Sequence, residues 1–227
     1  MSIALISDIH GNYEALTAVL AACERLGVSR IYCLGDVVGY YSQVNECCEA
    51  LRVRDIPSVM GNHDWYMAGG GFCPRSKSVN DCLAYQRKVI AADHLEWLRT
   101  FALQRRVGDV HMVHGGWSDP IDEYLAPTAE YFARLPGTVF ASGHTHIQSL
   151  QQYGNQTYCN PGSVGQPRDG DPRAAFAVYD SGFTQHRVEY DMEKVFHLMQ
   201  QAGFNDYYYG GLKTGARNLC RLPDQLA

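Results

Sequence analysis

Basic charge is in short supply: 19 Lys and Arg stand against 24 Asp and Glu, a net charge of −5 with the histidines neutral. That balance repels a polyanion, so no stable nucleic-acid complex is expected, although a local positive site remains compatible with a short oligonucleotide. Long apolar runs are missing too. Nothing approaches the ~18 consecutive apolar residues that a membrane helix needs, and Met1-Ser2-Ile3 enters a strand directly, without a basic and apolar leader. No membrane partner is expected, and the expected location is cytoplasmic. Closely spaced cysteine pairs are also absent: Cys23, Cys33, Cys47, Cys48, Cys73, Cys82, Cys159 and Cys220 contain no CxxC and fall mostly in predicted helices or strands. They read as buried free thiols of a reduced compartment.

Against those absences stands one repeated feature. Five short apolar runs each end in side chains suited to metals: residues 3–6 lead to Asp8 and His10, 31–34 to Asp36, 58–60 to Asn62 and His63, 110–113 to His114, and 139–141 to His144 and His146. Open α/β sheets bind ligands beyond the carboxyl ends of their strands. If the runs are neighbouring strands, two carboxylates, four imidazoles and one carboxamide converge at one edge. Seven donors exceed the need of one tetrahedral ion and suit a dinuclear site.

The 227 residues, 46% hydrophobic and 19% charged, fit a single α/β domain spanning the chain. Helical spacing of Ala15, Leu16, Val19, Leu20 and Cys23, stopped by Gly27, predicts a helix over 13–26. A second helix over 44–53 and a strand over 56–60 follow, so the chain opens with alternating strands and helices and a parallel sheet. Residues 65–106 break the rhythm with Gly69-Gly70-Gly71 and helices at 77–92 and 93–101, the second capped by Asp93 with Glu96. This excursion leaves a donor loop directly and either shapes a substrate pocket or packs as a surface pair. Trp97, Leu98 and Phe101 read as core. Strands are expected over 147–153, 156–159, 174–179 and 185–190, a helix over 190–202, and an irregular tail over 203–227.

Together, Asp8-x-His10, Gly35-Asp36, Gly61-Asn62-His63-Asp64, His114 and Gly143-His144-x-His146 resemble the calcineurin-like metallophosphoesterase signature in its full order. The stretches Gly35-Asp36-Val37-Val38-Gly39-Tyr40 and Asn160-Pro161-Gly162-Ser163-Val164-Gly165-Gln166-Pro167-Arg168 are similar to its small bacterial phosphodiesterase branch. The resemblance implies a four-layer α-β-β-α sandwich, two mixed sheets flanked by helices. It also implies ligand roles: Asp8, His10 and His146 for one ion, Asn62, His114 and His144 for the other, and Asp36 between them.

Two divalent ions with two carboxylates leave two positive charges, which favours a metal-bound hydroxide and attracts a phosphoryl anion. The expected reaction is in-line attack of a metal-bridging hydroxide on a small or nucleotide-like phosphodiester. His63 and Asp64 are the expected catalytic pair, His63 serving the leaving oxygen and Asp64 orienting its imidazole. Arg168 and Asn62 are the expected substrate contacts, with Arg168 alternatively paired to Asp169 or Asp171. Tyr40, Tyr41, Trp65 and Tyr66 are candidates to stack on a base or aryl group. Gly115 and Gly116 suggest close backbone approach to the metals.

The oxygen and nitrogen donors suit Mn²⁺ in assay, with Fe, Co²⁺, Ni²⁺ or Zn²⁺ also compatible. A phosphomonoesterase, a nuclease and a noncatalytic protein-interaction scaffold are the alternatives. A scaffold is expected to lose ligands that this chain keeps, and a nuclease to carry more basic surface.

Overall fold

Alternate residues of the first strand face opposite ways, and that alternation sets the layering. Ile3 and Leu5 enter one apolar cluster while Ala4 and Ile6 enter another, so the strand is covered on both faces. The computed structural model describes residues 2–216, so Cys220 and the expected tail beyond 216 lie outside the described residues. The elements run β1 (Ile3–Ile6), α1 (Tyr13–Arg25), β2 (Arg30–Cys33), α2 (Val44–Val53), α3 (Asn62–Gly69), α4 (Lys77–Val89), α5 (Ala92–Leu98), β3 (Gln104–Val107), β4 (Val110–Val113), α6 (Ala129–Phe132), β5 (Val139–Ala141), β6 (Ser149–Tyr153), β7 (Gln156–Asn160), β8 (Ala174–Tyr179), β9 (Phe183–Val188) and α7 (Met192–Gln201). Two 3-10 turns follow, Asp206–Tyr208 and Gly210–Thr214.

The strands form two mixed sheets, ordered β2-β1-β8-β9 and β3-β4-β5-β7-β6. Ile3, Leu5, Tyr32 and Leu34 of the first meet Val110, Met112, Val139 and Ala141 of the second in one cluster between the sheets. Helices α1 and α2 cover the outer face of the first sheet, and Phe132, Phe140 and Tyr158 form the outer cluster of the second. The expected four-layer arrangement is therefore present.

Four expectations change, the first being the Asp93 cap: that helix starts at Ala92 with Ala91 as its cap residue and no side-chain capping bond, and Asp93 pairs with Arg52. The five runs are not neighbours in one sheet: β1 and β2 belong to one sheet, β4 and β5 to the other, and the donors converge because the two sheets stack. Residues 56–60 form only isolated bridges, Cys33 with Ser58 and Val59 with Ala102. The strand Gln104–Val107, read as the end of the excursion, is an edge strand in which Arg105 and Arg106 obscure the apolar pattern. All seven described cysteines are buried and free, as expected.

The excursion holds a donor loop in place. Gln86 of α4 is fully buried; its Oε1 accepts from Gly39 N at 2.8 Å, and its Nε2 donates to Tyr41 O at 2.5 Å and to Gly39 O. Gln86→Ala leaves these backbone groups buried without partners, at ~1–3 kcal/mol per orphaned group. A thermal melt is expected to show a Tm lower by about 6 °C or more; an unchanged Tm would mean that water replaces the amide.

Candidate metal centre

Seven non-glycine residues among those described have a positive φ, and five of them are candidate ligands: Asp8 (55°), His10 (54°), Asp36 (55°), His144 (65°) and His146 (63°). Left-handed backbone costs an L-residue about 1–2 kcal/mol, and such strain concentrates at functional sites. The chain turns sharply at each strand end, and Asp8-x-His10 and His144-x-His146 each turn twice, which folds both side chains of the pair inward. The Asn160–Arg168 stretch secures the first turn: Val164 N donates to Ser7 O and Gly165 N to Asp8 O, each at 2.9 Å, and Ser163 Oγ donates to Asp8 O at 2.7 Å.

The seven candidate ligands are brought together, none more than 3% exposed. Their donor atoms fall into two groups. In one, His10 Nε2 lies 3.0 Å from His146 Nε2, and Asp8 Oδ1 lies 3.3 Å from His146 Nε2 and 3.8 Å from His10 Nε2. In the other, His114 Nε2 lies 3.2 Å from both Asn62 Oδ1 and His144 Nδ1. Asp36 Oδ2 stands between them, 3.4 Å from His114 Nε2 and 3.7 Å from His10 Nε2.

These spacings fit a metal. Atoms bonded at ~2.1 Å to one ion and at right angles to each other sit about 3.0 Å apart. Three rings also have their tautomer set by backbone carbonyls: Nδ1 of His10 donates to Val38 O (2.9 Å), that of His114 to Leu34 O (2.7 Å) and that of His146 to Gln166 O (2.6 Å). Each Nε2 is left as a lone pair aimed at the cluster. Two such lone pairs facing each other across 3.0 Å repel unless a cation lies between them. Asp8 Oδ1 is likewise buried without a hydrogen-bond partner, while Asp8 Oδ2 accepts from His144 N at 3.0 Å.

Protons hold the place of the ions otherwise. Burial disfavours charge on His114, but the nearby Asp36 and Asp8 carboxylates outweigh it and hold the imidazole up to about 10. His10 and His144 are driven down, His144 to about 3, by burial and then by neighbouring imidazoles. Metal loading of stripped protein is therefore expected to release a proton between neutral pH and about 10. In weakly buffered dye solution, Mn²⁺ addition without acidification would contradict this.

The model of the calcineurin-like phosphoesterase superfamily domain matches residues 1–182. The chain belongs to this superfamily. A metallophosphoesterase of Sphaerobacter thermophilus is similar in structure at a TM-score of 0.83, with 32% identity over 95% of this chain and 99% of that one. A hypothetical protein of Pyrococcus horikoshii OT3 shares the fold at the same TM-score, with 20% identity and coverage of 95% and 99%. An uncharacterized protein of Methanocaldococcus jannaschii is 34% identical over 218 residues, 86% of this chain and 90% of its own length. The family is metal-dependent, in accord with the buried Asp and His donors.

Beside these donors lies a cavity of about 440 Å³, whose lining includes His63, Asn62, Tyr40 and Arg168 together with Arg75, Ser76, Ser78, Tyr124 and Tyr208. His63 Nε2 lies 3.9 Å from Asp36 Oδ2. Its ring packs on Gly39, whose φ is 116°, where a Cβ would collide with the His63 ring and come within 2.7 Å of His10 Nδ1. Asp64 does not orient His63. Its Oδ2 accepts from Asp36 N (2.7 Å) and Gly61 N (3.2 Å), and its Oδ1 from Val37 N (2.9 Å) and Val38 N (3.2 Å). Asp64 thus builds the turn that carries Asp36, and His63 Nδ1 is buried without a hydrogen-bond partner.

Arg168 pairs with neither expected carboxylate, because Asp169 is held by Arg187 and Asp171 by Arg173. Its Nη2 donates to Tyr40 OH at 2.8 Å and its Nε to Gln166 Oε1 at 3.0 Å. Of the expected stacking aromatics only Tyr40 lines the cavity; Tyr41 and Tyr66 are buried and Trp65 faces solvent. Gly115 and Gly116 approach their own loop and Tyr131 closely, through Glu123, Asp119 and Tyr131 OH, and not the donors. Arg75, Asp122 and Tyr124 were not legible in the sequence, where no spacing or strand end marks them.

Proposed function

We propose that the chain is a phosphodiesterase acting on a small or nucleotide-like phosphodiester, with two divalent ions, Mn²⁺ in assay. The observation that carries this reading is the cavity that brings together Asn62 of the donor cluster, His63 and a guanidinium with no carboxylate. Arg75 is neutralised by Asp122, whereas Arg168 makes no ion pair among the described residues. The Arg168 charge adds to the surplus of the two ions and is free for a phosphoryl oxygen. A cavity of about 440 Å³ also leaves room for both ester arms.

Ions held by Asp8, His10 and His146, and by Asn62, His114 and His144, with Asp36 shared, would supply a water of lowered pKa and positive charge for the phosphoryl oxygens. Arg168, aimed by Tyr40 and Gln166, binds the phosphoryl group and sets its orientation. Asn62 borders the same cavity and contacts the substrate beside its donor role. His63 delivers a proton to the leaving oxygen. Burial drives His63 down to about 4 despite the pull of Asp36, and an arriving phosphoryl anion shifts it upward again, the direction an acid requires.

The test is hydrolysis of a chromogenic aryl phosphodiester and of the matching monoester by chelator-stripped protein, before and after Mn²⁺ is restored. Metal-restored cleavage that is faster on the diester supports the reading; faster cleavage of the monoester replaces it with a phosphomonoesterase. Arg168→Ala is expected to raise KM about tenfold or more, at ~1.5–3 kcal/mol for a charge-assisted contact, with bound metal unchanged. A lower Tm with an unchanged KM would make Arg168 structural.

A further inference from the structure

The loop that leaves β4 reaches the donors twice. His114 begins it, and further along Asp122 turns its carboxylate toward the other imidazole of that group: Asp122 Oδ1 lies 3.4 Å from His144 Nε2. His144 Nδ1 lies 3.2 Å from His114 Nε2, among the donors. If Nδ1 offers its lone pair to an ion, the ring hydrogen sits on Nε2. That atom is buried and has no hydrogen-bond partner, and the Asp122 carboxylate stands on its side. The separation exceeds a formed N–H···O bond by about half an ångström, a gap that ligand binding commonly closes.

Asp122 is itself held firmly. Arg75 Nη1 donates to Oδ2 at 2.7 Å and Nη2 donates to Oδ1, while Tyr66 OH approaches Oδ2 at 3.4 Å. Arg75 precedes α4 and lines the cavity. A residue of the excursion is thus connected through one carboxylate to a metal donor.

We propose that Asp122 is a positioning residue of the metal centre, accepting the Nε2–H of His144 so that Nδ1 faces the ion, with Arg75 fixing the carboxylate from the cavity wall. The inference rests on the metal-dependent reading of the donor cluster and adds to it a route by which the excursion reaches the ions. Outer carboxylates of this kind hold a ligating ring's tautomer and raise its basicity, and their loss costs 10- to 100-fold in metal affinity.

The experiment titrates Mn²⁺ into stripped wild type, Asp122→Ala, Asp122→Asn and Arg75→Ala against a chromophoric chelator, with thermal melts of the metal-free proteins alongside. Asp122→Ala is expected to weaken the binding event served by His144 by ~10- to 100-fold and to spare the other, with metal-free Tm near wild type. Asp122→Asn, which keeps an acceptor oxygen, recovers part of the loss, and Arg75→Ala gives a smaller loss in the same event. Wild-type affinity in both Asp122 variants overturns the proposal, as does a lower metal-free Tm with affinity kept. Should Asp122→Ala fail to fold, Asp122→Asn decides alone: weakened binding supports the role and unchanged binding removes it. Wild type that takes up no divalent ion instead refutes the metal reading on which the proposal stands.

Discussion

His63→Ala is expected to cut turnover of an aryl phosphodiester by ~10²–10⁴-fold, the range for loss of a positioned acid, while the protein keeps its full complement of metal. The physical argument is positional. Asn62 and His63 are consecutive at the start of α3, so their side chains diverge: Asn62 Oδ1 reaches His114 Nε2 at 3.2 Å, whereas His63 Nε2 stops 3.9 Å from Asp36 Oδ2 on the cavity side. The ring is nevertheless close enough to His10 and Asp36 to complete a donor set with them. Metal content measured by atomic absorption therefore separates the two roles. Retained metal with lost turnover assigns His63 to proton delivery, and lost metal makes it a ligand.

Asp36→Asn is expected to weaken both metal-binding events together. Oδ2 lies 3.4 Å from His114 Nε2 in one group and 3.7 Å from His10 Nε2 in the other. The variant keeps the shape but removes the charge that both groups share. Breaking a buried charge interaction costs ~3–5 kcal/mol, or about 10²–10³-fold in affinity and more at the upper end. Catalysis should become undetectable at micromolar Mn²⁺. Asp8→Asn supplies the contrast, since Asp8 Oδ1 is paired with His10 and His146, and its loss should weaken chiefly the event of that group. A selective effect of Asp36→Asn would place Asp36 in a single group.

The clustering of the candidate donors was legible because each sits where an apolar run stops, and a strand end delivers a side chain to the same rim whichever sheet holds the strand. That is why reading the runs as neighbours misplaced the strands yet found the cluster. Asp64 was misread for a related reason: adjacency to His63 in sequence says nothing about which of two turns its carboxylate closes, and four backbone N–H groups of residues 36–38 and 61 claimed it. Asp122 and Arg75 meet across 47 residues that include two helices and two strands, and Gln86 looks like any polar residue on a helix until Gly39 and Tyr41 are folded against it. Such contacts carry no period, so only the folded chain displays them. The branch-like Asn160–Arg168 stretch pointed to the mouth of the site; its backbone work on Ser7 and Asp8 was visible only in three dimensions.

The donors divide between two sheets, Asp8, His10 and Asp36 following strands of one and His114, His144 and His146 following strands of the other. An ion there staples the two halves of the core across their seam. Ligands that bind only the folded state stabilise it by mass action, about 2.7 kcal/mol at a hundredfold excess over Kd. Starvation for metal would consequently be felt twice: as idle enzyme, and as a chain whose halves part more readily, exchanging the amides of β1 and β4 sooner and offering itself to proteases. Supply of the ion then governs how long the molecule lasts as well as how fast it works.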